Sequence, residues 1–293
     1  MPVLANLTSL PTNTPDSRPS PLSAAMRRVF IKSAIALSAG STLLVATASN
    51  ANNALAVNRS ARMRALSQRF TKLKAQQLLL GSSDAITDTL LSVEKTMASH
   101  MQFLASTVSD PKGKQLVEQL RVQEAVLVKF SAPAATKESV AATNKAASET
   151  LKIANDLTLV LEGISKAKEV SLVNLAGRQR MLSQRMAKQY FLIAATIEDK
   201  STFAAIDADR TAFNEALKTL NDSTLATPKI KEELAKTGAS FKRYDALLSD
   251  RTDKGSAKPQ LISIASMSEQ LLAQCNEITF QFEDLVKAKE LSA

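Results

Sequence analysis

From Asn58 onward the apolar residues return every three or four positions, the spacing of amphipathic helices, and no stretch alternates with the period of a strand. Gly81-Ser-Ser-Asp84 closes a first helix and supplies an N-cap for the second. Ser109-Asp-Pro-Lys-Gly113 separates the second from the third, and Ser131-Ala-Pro-Ala-Ala135 the third from a fourth over about 137–168. Matching breaks near Glu198–Ser201, Asn221–Pro228 and Ser249–Pro259 divide the remainder into four more helices, the first of them over about 171–197. The pattern predicts an all-α chain of two tandem four-helix up-down bundles, residues 57–169 and 170–293. Only Gly163 interrupts the run between them. A turn there lays the bundles side by side, and a continuous helix stacks them end to end; both arrangements fit the pattern.

Two stretches 116 residues apart are near copies. Asn58-Arg-Ser-Ala-Arg-Met-Arg-Ala-Leu-Ser-Gln-Arg-Phe-Thr-Lys72 and Asn174-Leu-Ala-Gly-Arg-Gln-Arg-Met-Leu-Ser-Gln-Arg-Met-Ala-Lys188 agree at eight of fifteen positions, three of them arginines. The echo returns at the end of each half, where Asn155-Asp-Leu-Thr158 answers Asn276-Glu-Ile-Thr279 and Glu162 answers Glu283. A fixed-period echo predicts two copies of one module. Ordinary core helices would echo in their leucines; this one echoes in arginine, serine and glutamine, which places the functional candidates there.

On a helix, Leu182, Met186 and Gln189 share one face, as do their counterparts Leu66, Phe70 and Leu73, and this face points into the bundle. Arg62, Arg69, Arg178 and Arg185 flank it, which predicts packed stems with heads paired to a carboxylate, Glu162 and Glu283 being the shared candidates. Arg64 and Arg180 fall on the far side, about 160° from the leucine. A lone outward arginine is ordinarily solvated. Two at matched positions suggest that the outward faces of the two first helices meet. Two guanidinium groups about 6 Å apart repel by about 3 kcal/mol at an effective dielectric of about 20. An anion between them removes that repulsion and adds charge-assisted hydrogen bonds of about 1.5–3 kcal/mol each. The flat, forked guanidinium matches a flat oxyanion such as nitrate or a carboxylate.

The second box, from Asn174 to Met186, resembles the opening helix of the PilJ-like family, the N-terminal domain of type IV pili methyl-accepting chemotaxis transducers. It is also similar to the sensor domain of nitrate/nitrite sensor kinases, whose box reads roughly N-x-A-G-x-x-R-M-x-S-x-R. The resemblance implies a periplasmic four-helix bundle in which one arginine from each subunit grips the anion at a dimer interface. That arginine falls on Arg180, with Gly177 before it and Met181 after it. In the first box it falls on Arg64, where Ala61 and Ala65 replace the glycine and the methionine. The resemblance implies Arg180, Arg64, Arg178, Arg62 and Gly177 as ligand-site residues, with Asn174, Asn58, Ser183 and Ser67 orienting the ligand or capping the helix. Family members ordinarily carry membrane helices and a signalling module after the sensor; this chain ends at Ala293 with neither, which predicts signalling through a membrane-bound transducer.

Met26-Arg-Arg-Val-Phe-Ile-Lys32 precedes a mildly apolar run from Ser33 to Val45 and then Ala46-Thr-Ala48, the layout of an export signal. Arg27 and Arg28 fit the twin-arginine route, and a general secretory signal fits as well. The expected division is a disordered extension over 1–25, rich in Pro, Ser and Thr, and an export signal over 26–56, with Ala54-Leu-Ala56 as a second cleavage site. The mature chain is then expected in the periplasm and not embedded in the membrane.

Composition narrows the chemistry. A single histidine, His100, and a single cysteine, Cys275, exclude cysteine metal clusters and internal disulfides and leave little for hydrolysis, so neither an enzyme nor a cofactor is expected. Glu232 and Glu233 sit among lysines and read as surface charge. The net charge of +9 favours anionic partners, yet aromatic content of 4% with no stacking motif argues against nucleic acid. Two functions remain: an exported sensor for a small nitrate- or nitrite-like anion, and a non-catalytic protein that docks on a transducer or on a pilus or chemotaxis component without a small ligand.

Overall fold

A computed structural model describes residues 41–131, 134–165, 168–251 and 257–291. The expected extension over 1–25 and the arginine pair Arg27-Arg28 lie outside them. The chain divides at Leu44, and Val45–Ala293 forms one compact unit. The described residues hold eight α-helices and no strand: α1 (Ser41–Leu80), α2 (Asp84–Thr107), α3 (Pro111–Val128), α4 (Lys137–Ser165), α5 (Lys168–Ala194), α6 (Phe203–Asp222), α7 (Pro228–Leu248) and α8 (Lys258–Leu291), with one 3₁₀ turn at Lys200–Thr202. No helix among these residues is long and apolar enough to cross a membrane.

The punctuation of the sequence sets the ends. Gly81 takes φ +94°, a backbone open to glycine and costly for other residues, and stops α1. Ser83 caps α2 by accepting from the Ile86 amide, and Asp110 caps α3 by accepting from the Gly113 amide at 2.7 Å, with Pro111 at the first helical position. Thr227 and Pro228 repeat that device at α7. Gly163 is no break; it lies inside α4, which continues to Ser165.

Helices α4 and α5 are antiparallel, because Glu162 reaches Asn174 while Asn144 reaches Lys188 and Glu198. The chain therefore turns back between them. Gln68 donates to the carbonyl of Ala147 on α4, and its counterpart Gln184 donates to the carbonyl of Ser268 on α8. Ser268 and Glu269 also hold Lys72 and Arg69 of α1. One level of α8 thus meets matching levels of α1 and α5, so these two helices run parallel, with α4 and α8 antiparallel beside them. Apolar side chains fill the space around this centre. One cluster draws on all eight helices, among them Phe70, Leu104, Leu120, Leu157, Val173, Leu220, Ile230 and Phe282. A second is built on Met186, Phe191, Phe213, Tyr244 and Leu271, joined by Ala65 and Val140 from the first half.

Candidate functional site

Helices α1 and α5 are encased by their neighbours. From Ser60 to Ala75 only Arg62 and Arg69 escape burial, and from Gln179 to Tyr190 only Arg185 and Gln189. The polar face read from the sequence is therefore interior, and interior polar groups need partners. Ser67 and Ser183 donate to the carbonyls of Arg64 and Arg180, each at 2.9 Å, one turn back on their own helices. Asn58 and Asn174 lie well inside α1 and α5 and cap neither.

The matched arginines are the centre of the arrangement. Arg64, 2% exposed, donates from Nη1 to Oδ1 of Asn155 (3.1 Å) and from Nη2 to Oδ1 of Asn174 (2.6 Å). Arg180, fully buried, donates to Oδ1 of Asn276 (3.2 Å) and Oδ1 of Asn58 (2.7 Å). Each first-helix asparagine then donates to a glutamate, Asn174 to Glu162 and Asn58 to Glu283. So the arginine, asparagine and glutamate of one half enclose the first-helix asparagine of the other. Gly177 makes the approach possible. A Cβ there would lie 2.9 Å from Nη2 of Arg180 and 3.2 Å from Cβ of Ala61, the residue at the matching position of α1.

The electrostatics of these cradles are unbalanced. Their direct acceptors are neutral amide oxygens, and among the described residues neither arginine forms an ion pair. Burial pushes the Arg180 guanidinium down to about 9, with the charges of Arg62 and Arg64 adding to the effect. Burial lowers Arg64 to about 10, Arg178 adds to this, and Glu162 draws it part of the way back. Nε of Arg180 finds no protein partner. A buried cation without a contacting anion is costly.

The flanking arginines take other partners than expected. Arg69 forks onto Glu269 (3.1 and 2.6 Å), and Arg185 forks onto Asp209, instead of Glu283 and Glu162. The reason is register. Glu283 sits level with Asn58, eleven residues and about 16 Å along the helix from Arg69. Arg178 is exposed and Arg62 half-buried, and neither has a carboxylate partner among the described residues. Glu232 is exposed and Glu233 half-buried, and both pair with Lys236.

Asn155 and Asn276, which carried no role in the sequence pattern, hold the cradle arginines, and a further pair, Arg59 and His100, lies within reach of the Arg180 charge. Asn155 and Asn276 were visible as the repeated start of the closing motif, though nothing in it marked them as arginine acceptors. Arg59 is answered by Leu175 in the second half, and His100 is the chain's single histidine, so neither is echoed. Arg59 meets Nδ1 of His100 at 2.9 Å and lies over the Phe103 ring at 5.2 Å. His100 is 3% exposed, and its Nε2 has no partner. Burial and the charges of Arg62, Arg59 and Arg180 push it down to about 3, so it is neutral at pH 7. Cys275 is buried, and the described residues hold no cluster of His, Cys, Asp or Glu suited to a metal ion.

Between α4 and α5 a cleft of about 720 Å³ opens onto one cradle. Arg64, Asn155, Asn174 and Glu162 line its polar side together with Lys152 and Arg178, and Leu159, Leu172, Leu175 and Met181 its apolar side. Arg180 is not among its lining residues.

Neither the curated proteins nor the solved structures yield a match to this chain. Residues 165–279, which carry the second arginine box, Gly177 and Asn276, match the family model described as Type IV pili methyl-accepting chemotaxis transducer N-term, which relates this stretch to the signalling modules of chemotaxis transducers.

Proposed function

We propose that the chain is an exported, non-catalytic sensory protein in which two PilJ-like modules, fused in one chain, form a built-in pseudo-dimer. In this reading the arginine cradles bind a small anion of the nitrate or nitrite kind, as the resemblance to nitrate sensors suggests, and a membrane-bound transducer receives the signal. The observation that carries it is Arg180, fully buried, held only by neutral oxygens, with one donor unused. An anion supplies the missing charge, and the cradles are shared between the halves, so its binding bears on how they pack.

Titrating the full chain with nitrate and with nitrite is the direct test. A ligand at about 100 times its Kd stabilises the folded state by about 2.7 kcal/mol, which raises the melting midpoint by about 5–10 °C in a chain of this size. Gly177→Ala is the informative variant. Its new methyl gains helix propensity of about 1 kcal/mol while crowding the Arg180 head. Its melting point is expected to stay within a few degrees of the parent and its anion response to vanish. Heat from neither anion in the parent protein defeats the proposal.

Export carries its own test. Ala54 and Ala56 are buried in the helical core, so cleavage after Ala56 would remove packed residues, whereas cleavage after Ala48 spares them. The mature protein recovered from the periplasm is expected to begin at Ser49 by intact mass. A start at Val57, or an uncleaved cytoplasmic chain, overturns this reading.

A further inference from the structure

We infer that the cleft between α4 and α5 binds an amphiphilic organic carboxylate, with its head at Arg64 and Arg178 and its hydrocarbon body along Leu159, Leu172, Leu175 and Met181. The inference rests on the anion-sensing reading only through Arg64.

Size comes first. At about 720 Å³ the cleft falls in the range of small-molecule sites. Water occupies about 30 Å³ per molecule, so a bare trigonal oxyanion would leave most of the space, and its apolar wall, in contact with solvent. Lining chemistry comes second. One side is cationic, with Arg64, Lys152 and Arg178 against the single carboxylate of Glu162, while Arg185 is already engaged by Asp209. Arg64 is held rigidly by its two asparagines, and Arg178 and Lys152 are exposed with no ion-pair partner among the described residues. The other side is aliphatic, and Leu159 is 53% exposed, an open apolar surface beside a row of positive charge. Water is a poor occupant of such a wall, and a hydrocarbon chain a good one.

Asymmetry between the halves supports a dedicated site. The position matching Leu175 is Arg59, which lies over Phe103 and bonds to His100, and the positions matching Leu172 and Met181 are Ala56 and Ala65, both buried. The first half's matching place thus carries an arginine already engaged by a histidine and a ring, and two alanines, in place of this leucine and methionine wall.

The probes are octanoate, the neutral 1-octanol and nitrate, titrated into the full chain, with two variants at exposed positions that leave the core intact. Octanoate is expected to bind at least about tenfold tighter than 1-octanol, because only the carboxylate meets Arg64 and Arg178. Arg178→Gln is expected to weaken octanoate about fivefold to tenfold. Leu159→Glu, which sets a like charge against the chain, is expected to weaken it at least as much and to leave any nitrate response at Arg180 unchanged. Equal binding of octanoate and 1-octanol, or octanoate binding untouched by both variants, overturns the inference. Loss of nitrate binding alone defeats the nitrate reading and leaves the cleft assignment standing.

Discussion

Asn58→Leu is expected to lower the unfolding free energy by about 3–5 kcal/mol, the cost of breaking a buried charged network by removing one partner. Asn58 is 3% exposed and touches two buried charges at once, accepting from Arg180 and donating to Glu283. Leucine fills the volume and satisfies neither. In a unit of about 250 residues the melting midpoint should fall by about 6–20 °C. The matched change Asn174→Leu breaks the same pair of bonds, to Arg64 and Glu162. Those groups border the open cleft, however, where water can replace the lost amide, so about 1–2 kcal/mol is expected. Thermal melts of the two variants side by side give the comparison. Equal losses would show that the cradles are equally dry and would remove the distinction drawn between them.

The second large effect is a pH dependence set by His100. The unfolded imidazole takes a proton near pH 6.5, whereas the folded one, buried and facing Arg62, Arg59 and Arg180, does so only near 3. As pH falls below 6.5 the unfolded chain binds a proton that the folded chain refuses, so stability is complete above that point and declines toward 3. The slope is about 1.4 kcal/mol per pH unit. Between pH 6.5 and about 5, before the carboxylates titrate, the loss is about 2 kcal/mol. His100→Gln keeps an acceptor for Arg59 and carries no titrating group, so its stability should stay flat across that window. Denaturant midpoints at half-unit steps check this. Parallel curves for parent and variant would show that another group sets the acid limit.

The helices and most of their ends were legible because punctuation is local: Gly81, Asp110-Pro111 and Thr227-Pro228 act through their own backbone. The arginine boxes were legible because repetition singled them out. What sequence did not reveal depends on register between distant helices. Arg69 meets Glu269 and Arg185 meets Asp209 because of the level at which α8 and α6 cross, which helical periodicity does not encode. The burial of Lys72 and Gln68 was hidden for a related reason. A polar face looks solvated until another helix is known to cover it. Repetition also hid Arg59, His100 and the apolar wall of the cleft, since these are the places where the halves differ.

That difference has an evolutionary corollary. In a symmetric dimer every mutation is carried twice, so a change that reshapes one pocket reshapes its twin. Here both cradles belong to a single polypeptide, and Arg59 and Leu175 are free to vary independently. Such a chain can hold one pocket sealed and polar while its twin broadens toward a bulkier guest, a specialisation closed to two identical subunits.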